Sequence, residues 1–142
     1  MFLQRTLSII KPDAVKSGYV DSINSLIESS GLKIIKKKNL TLNKEQAAKF
    51  YSIHSDKSFY KELCSFMCSG PIVVQMLEGD NAIEIYRDLM GATDPKNAKE
   101  HTIRKKFAAS VQENAVHGSD SAQSAEREVS YFFEKNEIVD RF

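Results

Sequence analysis

Asn114-Ala115-Val116-His117-Gly118-Ser119-Asp120 is the stretch whose reading decides the fold. A short apolar step ends in a histidine and a glycine, and two good helix starters follow. Read as a strand, the step around Val116 is the fourth of a sheet. Downstream, the apolar rhythm from about Ser121 to Phe133 predicts a helix. With Asp120 as N-cap, Gln123 falls at the third helical position and makes a capping-box-like start. His117 is then expected just ahead of a helix N-terminus, where unpaired N–H groups and the macrodipole favour an anion. Gly118 is expected to let the backbone turn tightly and to leave room beside the ring. An unperturbed imidazole titrates near about 6.5, so much of it is neutral and nucleophilic at neutral pH. A nucleophile where an anion is welcome points to attack on a phosphate. The plainer alternative is a turn histidine held by hydrogen bonds, and the rest of the chain has to choose between them.

Outward from that stretch, the pattern alternates strands and helices. Arg5-Thr6-Leu7-Ser8-Ile9-Ile10 alternates polar and apolar residues and stops at Lys11-Pro12-Asp13, which reads as a strand ended by proline. Lys11 sits where a side chain can reach over the sheet rim, either solvated or as a phosphate ligand. Ile23, Leu26 and Ile27 repeat at helical spacing and Gly31 is a good stop. Residues 32–42 read as a second strand, with Lys36-Lys37-Lys38 as a solvated strand end. Asn43 looks like the N-cap of a helix through Ala47, Phe50 and Tyr51 to about His54. A helix from Phe59 to Ser69, capped by Ser58 and stopped by Gly70, should follow. Pro71 to Leu77 is the clearest buried strand. Asp80 then caps a helix with Ile83, Tyr86 and Met90 inward, ended by Gly91. Residues 92–100 read as a polar loop, and Thr102 opens a helical turn carrying Arg104 and anchored by Phe107. Asn136 to Phe142 is left as a tail.

Strand, helix, strand, strand, helix, strand is the ferredoxin-like motif. The expected fold is therefore α+β: a ferredoxin-like α/β sandwich with a four-stranded antiparallel sheet and inserted helices. At 142 residues the chain is expected to be one domain over 1–142. A net charge of +1 lacks the field of a general nucleic-acid binder. No apolar run approaches the roughly 18 residues of a membrane span. The N-terminus enters a strand-like segment without a signal-peptide core, so the expected compartment is the cytoplasm. Cys64 and Cys68, one helical turn apart, are expected as packed thiols rather than as a redox pair or half a metal site. The six glycines stand at 18, 31, 70, 79, 91 and 118, so neither a Walker-A loop nor a G-x-G-x-x-G can be assembled. If the chain moves phosphate, it needs separate cations and a side-chain nucleophile.

Arg5-Thr-Leu-Ser-Ile-Ile-Lys-Pro-Asp-Ala14, Ser69-Gly-Pro71, Gly91-Ala-Thr93, Thr102-Ile-Arg104 and Asn114 to Asp120 together resemble the nucleoside diphosphate kinase family. The resemblance runs over essentially the whole chain. It implies a ping-pong reaction in which His117 takes the γ-phosphate of a triphosphate on Nδ1 and passes it to a diphosphate. It further implies that Lys11, Arg87, Thr93 and Arg104 hold the phosphates, with Tyr51 close to them. Phe59 would stack on the base, with Leu63 and Val111 lining the same slot. Asn114 would bind the ribose 3′ hydroxyl, and Glu128 with Ser119 would orient the histidine. Mg²⁺ is expected to arrive with the nucleotide, because no Asp/Glu cluster suits an all-protein cage. Broad base and sugar tolerance is expected, as is a homo-oligomer, a hexamer ahead of a tetramer.

Glu128, roughly two turns after Ser121, can return toward the histidine and fix its tautomer, or can be a solvated helix residue. His54 and His101 read as helix-face and loop-surface residues. The sequence departs from the family's common pattern at Glu100-His101, where Pro-Gly is usual. It departs again at Lys105-Lys106 and at Lys57-Ser58. The rival reading is a ferredoxin-like RNA-binding module, which the Lys36–Lys38 run favours and the lack of an RNP1-like pattern opposes.

Overall fold

The computed structural model of the chain describes residues 3–134; the Asn136–Phe142 tail lies outside them. Its sheet has four strands, β1 (Leu3–Ile10), β2 (Lys33–Leu40), β3 (Ile72–Asp80) and β4 (Val116–Gly118). They lie in the order β2-β3-β1-β4, and every pairing is antiparallel. With α2 (Val20–Ser29) between β1 and β2, and α5 (Ala82–Met90) between β3 and β4, the expected ferredoxin-like α+β sandwich is present. The inserted helices are α1 (Pro12–Lys16), α3 (Lys44–Phe50), α4 (Tyr60–Met67) and α6 (Ile103–Phe107), and α7 (Ala122–Phe132) follows the last strand. No helix among the described residues is long and apolar enough to cross a membrane.

The middle strands are buried on both sides because helices cover both sides, with Thr6, Ser8 and Gln75 as buried polar residues among the apolar ones. Ile10, Val73 and Leu77 pack with Ile23 and Ile27 of α2 and Tyr86 of α5. Leu7, Ile9, Val74 and Met76 point the other way, onto Ala47, Phe50, Met67 and Val129 of α3, α4 and α7. This explains the unbroken run from Ile72 to Leu77, in which every residue is buried. On the α5 face a polar contact crosses the layers, Ser8 Oγ to Tyr86 Oη at 2.7 Å.

Several helix starts differ from the sequence reading. Asn43 does cap α3, in a capping box with Gln46. Ser58 does not cap α4; Phe59 occupies the N-cap position without a side-chain bond. Asp80 ends β3, and Asn81, left-handed at φ 50°, precedes α5. Asp80 is drawn into the sheet because it faces Leu3 across the β1–β3 ladder. Nor is Asp120 the cap of α7. Ser121 has the extended backbone of an N-cap and its hydroxyl accepts from Ser124 N–H, so no capping box with Gln123 forms.

The Lys36–Lys38 run lies within β2 rather than at a solvated strand end. Lys38 Nζ donates to Phe132 O at 2.9 Å and stands over the Phe133 ring. A lysine tying a strand to the end of a helix is a weak start for an RNA surface.

Gly118 is needed for close approach rather than for a tight turn. Its φ is not positive, but a Cβ there would stand 2.7 Å from Tyr86 Cδ2 and Met90 Cε. The last strand therefore rests directly on α5, and the histidine before it is carried at a fixed height above the helix layer.

Candidate active site

His117 pairs with Ile9 across the β1–β4 ladder and opens into a cleft of about 610 Å³. Lys11, where β1 ends, lines the same cleft, as do Arg87 from the last turns of α5 and Arg104 from α6. The sequence separates these three cations by 76 and 17 residues, and the fold gathers them around one imidazole. Thr93, Asn114 and Tyr51 complete the polar wall, and Phe59, Leu63 and Val111 form the apolar mouth. Ser119 stands behind His117, outside the lining.

Glu128 is held toward the ring and is not a solvated helix residue. His117 Nε2 lies 2.9 Å from Glu128 Oε1, and Ser119 Oγ donates to the same oxygen at 2.9 Å. Ser119 in turn accepts from Leu7 N–H at 3.2 Å, which ties the carboxylate to the central strand. Burial pushes the Glu128 carboxyl up, but the hydrogen bond and charge of His117, the Ser119 bond and Arg127 outweigh it and hold the group below its ordinary value. A carboxylate accepting at Nε2 assigns the proton to that nitrogen and leaves a lone pair on Nδ1. Phe50 meets the imidazole edge-on, with centroids 5.6 Å apart, and Tyr51 does so at 6.2 Å. The ring is thus fixed on three sides.

Two of the cations, Arg104 and Lys11, are held before any ligand arrives. Arg104 donates through Nη1 to Gly91 O and through Nη2 to Val116 O, both at 3.0 Å. Gly91 is required beside it: at φ 85° it brings its backbone so close that a Cβ would stand 2.5 Å from Thr102 Oγ1. Lys11 Nζ donates to Asn114 Oδ1 at 2.8 Å. Burial, and then the neighbouring Arg104 charge, push Lys11 down to about 8, with Asp13 opposing. Tyr51 Oη is buried with no hydrogen-bond partner among the described residues. Burial, then Glu128, push its pKa upward, so it stays a protonated donor.

Helix α7 contributes less to anion attraction than the sequence reading expects. Its first residue is Ala122, Ser121 satisfies one of its free N–H groups, and Asp120 lines the cleft as an acid. The attraction comes from the cations instead. Several lining residues escape the sequence reading, among them His54, Ile53, Gln112 and Arg127. His54, from a 3-10 turn at Ser52–His54, lies by Phe59 with ring centroids 5.8 Å apart, so it belongs to the cleft rather than to a helix face. Ile53 and Gln112 join the apolar mouth, and Arg127 adds a half-exposed cation beside Glu128. The spacing Tyr51-x-x-His54, one helical turn, was the available signal for His54.

A ferredoxin-like sandwich presenting one imidazole to several buried or half-buried cations defines a class, the α+β enzymes that handle phosphate through side chains rather than a glycine-rich loop. The comparisons narrow the class. The family model described as "Nucleoside diphosphate kinase" matches residues 4–138. A nucleoside diphosphate kinase of Wolbachia pipientis subsp. Culex pipiens (strain wPip) is 55% identical over 139 residues, covering 98% of this chain and 100% of that protein. Nucleoside diphosphate kinase 1 of Protochlamydia amoebophila is 55% identical, over 99% and 100% respectively. Among solved structures, the Aquifex aeolicus nucleoside diphosphate kinase superposes with a TM-score of 0.94 at 38% identity, covering 97% of this chain and 100% of that one. The Halobacterium salinarum enzyme, solved in complex with CDP, gives 0.92 at 37% identity, over 96% and 91%. The chain belongs to the nucleoside diphosphate kinase family. It is an enzyme that moves phosphate between nucleoside tri- and diphosphates.

Burying a charged lysine beside Arg104 has a measurable cost. The folded pKa of Lys11 is depressed from 10.5 to about 8, so unfolding takes up a proton in that window and stability rises with pH across it. At neutral pH the buried charge opposes folding by up to about 3 kcal/mol. Lys11→Met is expected to stabilise the fold near pH 7 by roughly 1–2 kcal/mol, after the cost of leaving Asn114 Oδ1 unpaired. Urea unfolding near pH 7 and near pH 10 checks this: the gain should shrink at the higher pH, and a variant less stable than the parent at pH 7 contradicts it.

Proposed function

We propose that His117 carries the phosphoryl group between nucleotides on Nδ1, in a ping-pong exchange. One observation carries the reading: Nε2 is committed to Glu128, and the other ring nitrogen is left with its lone pair in a cleft lined by Lys11, Arg87 and Arg104. In the first half-reaction the Nδ1 pair bonds to the γ-phosphorus, the bond from that phosphorus to the β–γ bridging oxygen breaks, and the diphosphate leaves with those electrons. In the second, an oxygen of an acceptor diphosphate bonds to phosphorus and the N–P bond breaks, returning the pair to Nδ1. Nε2 keeps its proton throughout. The imidazolium character that develops on phosphorylation is stabilised by the Glu128 carboxylate across 2.9 Å.

The transition state is loose, so the chain's task is positioning and charge stabilisation. Lys11, Arg87 and Arg104 with the Thr93 hydroxyl hold the phosphates, and the Tyr51 hydroxyl, with no hydrogen-bond partner among the described residues, donates nearby. Phe59 stacks on the base, Leu63 and Val111 line its slot, and Asn114 meets the ribose 3′ hydroxyl. Ser119 and Glu128 orient the ring. Mg²⁺ enters as part of the Mg–nucleotide substrate. That fits a lining rich in cations, in which Glu128 is already committed to His117 and Ser119. The protein acts as a single domain over 1–142 in the cytoplasm, where the free thiols of Cys64 and Cys68 suit a reducing setting.

The covalent step has a direct test. Mixed with γ-labelled ATP, the protein should form an acid-labile, base-stable phosphoprotein, and His117→Ala should abolish both the label and turnover while nucleotide binding persists. Full activity in that variant refutes the mechanism.

Substrate breadth follows from how the slot reads a base. Phe59 and Val111 are about half exposed and offer a π-face and apolar contact, which every base can use. Gln112 stands at the rim, exposed to water, so its hydrogen bonding to a base edge is contested. The CDP complex of the Halobacterium salinarum relative supports acceptance of pyrimidines. Purine and pyrimidine diphosphates, ribo and deoxyribo, should have kcat/KM values within roughly a hundredfold, purines ahead for their stacking area. A preference of about 10⁴-fold for one base would reveal a committed hydrogen-bond reader instead.

Assembly into a closed homo-oligomer is the third part of the reading, supported by the eight-residue edge strand β2, whose outer side pairs with no described strand. A hexamer is favoured over a tetramer because Pro95 and the length of the 92–100 loop are retained. Light scattering at micromolar protein should show six subunits. Four would refute the hexamer, and an active 16.0 kDa monomer would refute assembly.

A further inference from the structure

Ala115 has a backbone that its side chain disfavours. Its φ is +73°, and Val116 N–H donates back to Asn114 O at 2.8 Å, closing a three-residue turn around it. Such positive-φ γ-turns are rare and strained for a residue with a Cβ. Ala115 is fully buried, so the strain is enclosed by structure rather than relieved at the surface.

The chain just past β1 grips this residue from both ends of its backbone. Lys11 N–H donates to Ala115 O at 2.8 Å, and Ala115 N–H donates to Asp13 Oδ2 at 3.1 Å. Asp13 takes part in no ion pair among the described residues. We propose that Asp13 is a positioning residue for phosphoryl transfer, its carboxylate locking Ala115 in the left-handed turn that aims Asn114 and His117 into the cleft.

The geometry links that turn to both neighbours. On one side, Asn114 must keep its Oδ1 on Lys11 Nζ, 2.8 Å away. On the other, Val116 O accepts from Arg104 Nη2 and His117 stays in register with Ile9. If Ala115 relaxed to negative φ, the peptide planes on both sides would rotate, and Asn114 and His117 would move in opposite senses. Burial raises the Asp13 carboxyl above its ordinary range, against the pull of the Ala115 N–H. The Ala115 N–H is the largest of the pulls on that carboxylate and the Lys11 charge a smaller one, which is consistent with a backbone-holding role. The inference rests on His117 as the phosphate carrier for its link to chemistry, but the lock itself is judged separately.

A double-mutant cycle tests it, using steady-state transfer from ATP to a nucleoside diphosphate. Glycine takes positive φ without penalty, so A115G removes the need for the lock. D13A should lower kcat by about tenfold or more with KM changed less than about threefold, while in the A115G background D13A should cost less than about threefold in kcat. D13N should lose less than D13A, because its amide oxygen can still accept the Ala115 N–H. Equal losses from D13A in both backgrounds overturn the proposal, as do a D13A kcat at the parent level and a D13N loss as large as that of D13A. If D13A does not fold, the cycle is read in the yield of folded protein: A115G must restore it, and no restoration overturns the lock. Failure to label His117 in the parent protein refutes the carrier role alone, since kcat reads the lock whichever group carries the phosphate.

Discussion

Strand β1 is buried on both faces from Thr6 to Ile10, bonded along its whole length on one edge and at Ser8–Ile10 on the other, and the rest of the molecule depends on that. Leu7 and Ile9 reach one helix layer, while Ile10 reaches the other. β3 pairs along its whole length on one side, and β4 pairs with Ser8, Ile9 and Ile10 on the other. A strand so enclosed has no freedom to shift, because a slip of one residue would send every apolar side chain to the wrong layer. Its C-terminal end is therefore the most rigid point from which to build a site. Lys11 and Asp13 leave from that end, and Ser119 is bonded to Leu7 within the same strand. The histidine and its carboxylate are mounted on the core, and the loops that carry Thr93, Val111 and Asn114 close around them.

That mounting explains why the cleft can hold groups that oppose folding. A lysine and an arginine share a buried corner, a carboxylate is drawn out of water behind the histidine, and a tyrosine hydroxyl has no hydrogen-bond partner among the described residues. Each is costly in isolation. The hydrophobic layers on both sides of the sheet offset those costs and keep the groups apart and aimed. Lys11 and Arg104 are thus desolvated and held in place by the fold itself, which is the condition under which electrostatic stabilisation is strongest. The same logic covers backbone strain, since the left-handed turn at Ala115 persists only because Lys11 and Asp13 hold both of its peptide groups.

Much of this was legible in the residues. The run Pro71 to Leu77 and the alternation before Lys11 announce strands, since their periods match the pleat and little else competes. Asn43 announces a helix start. The histidine stretch and its distant partners lie in motifs whose family resemblance brings them to one site. Caps were less legible where two candidates stand side by side. Ser121 displaced Asp120 because its backbone is extended and its hydroxyl reaches Ser124 N–H, a choice made by dihedral angles that composition does not carry. His54 and Gln112 were missed because their lining role depends on how a short 3-10 turn and a loop fold over the cleft.

The sequence by itself determined the order of the strands and the longer helices, the continuous buried run of β3 and the chemical types available to the site. These are local properties, written in periodicity and residue identity. Tertiary structure alone decided which nitrogen of His117 is occupied, because that depends on Glu128 arriving within 2.9 Å of Nε2 from a separate helix. It also decided how far Lys11 is depressed, which follows from burial against Arg104, 93 positions away. And it decided that Ala115 would be left-handed, although alanine prefers the opposite sign of φ. Forces between residues distant in sequence overrode a local preference there, and only the packed fold brings those residues together.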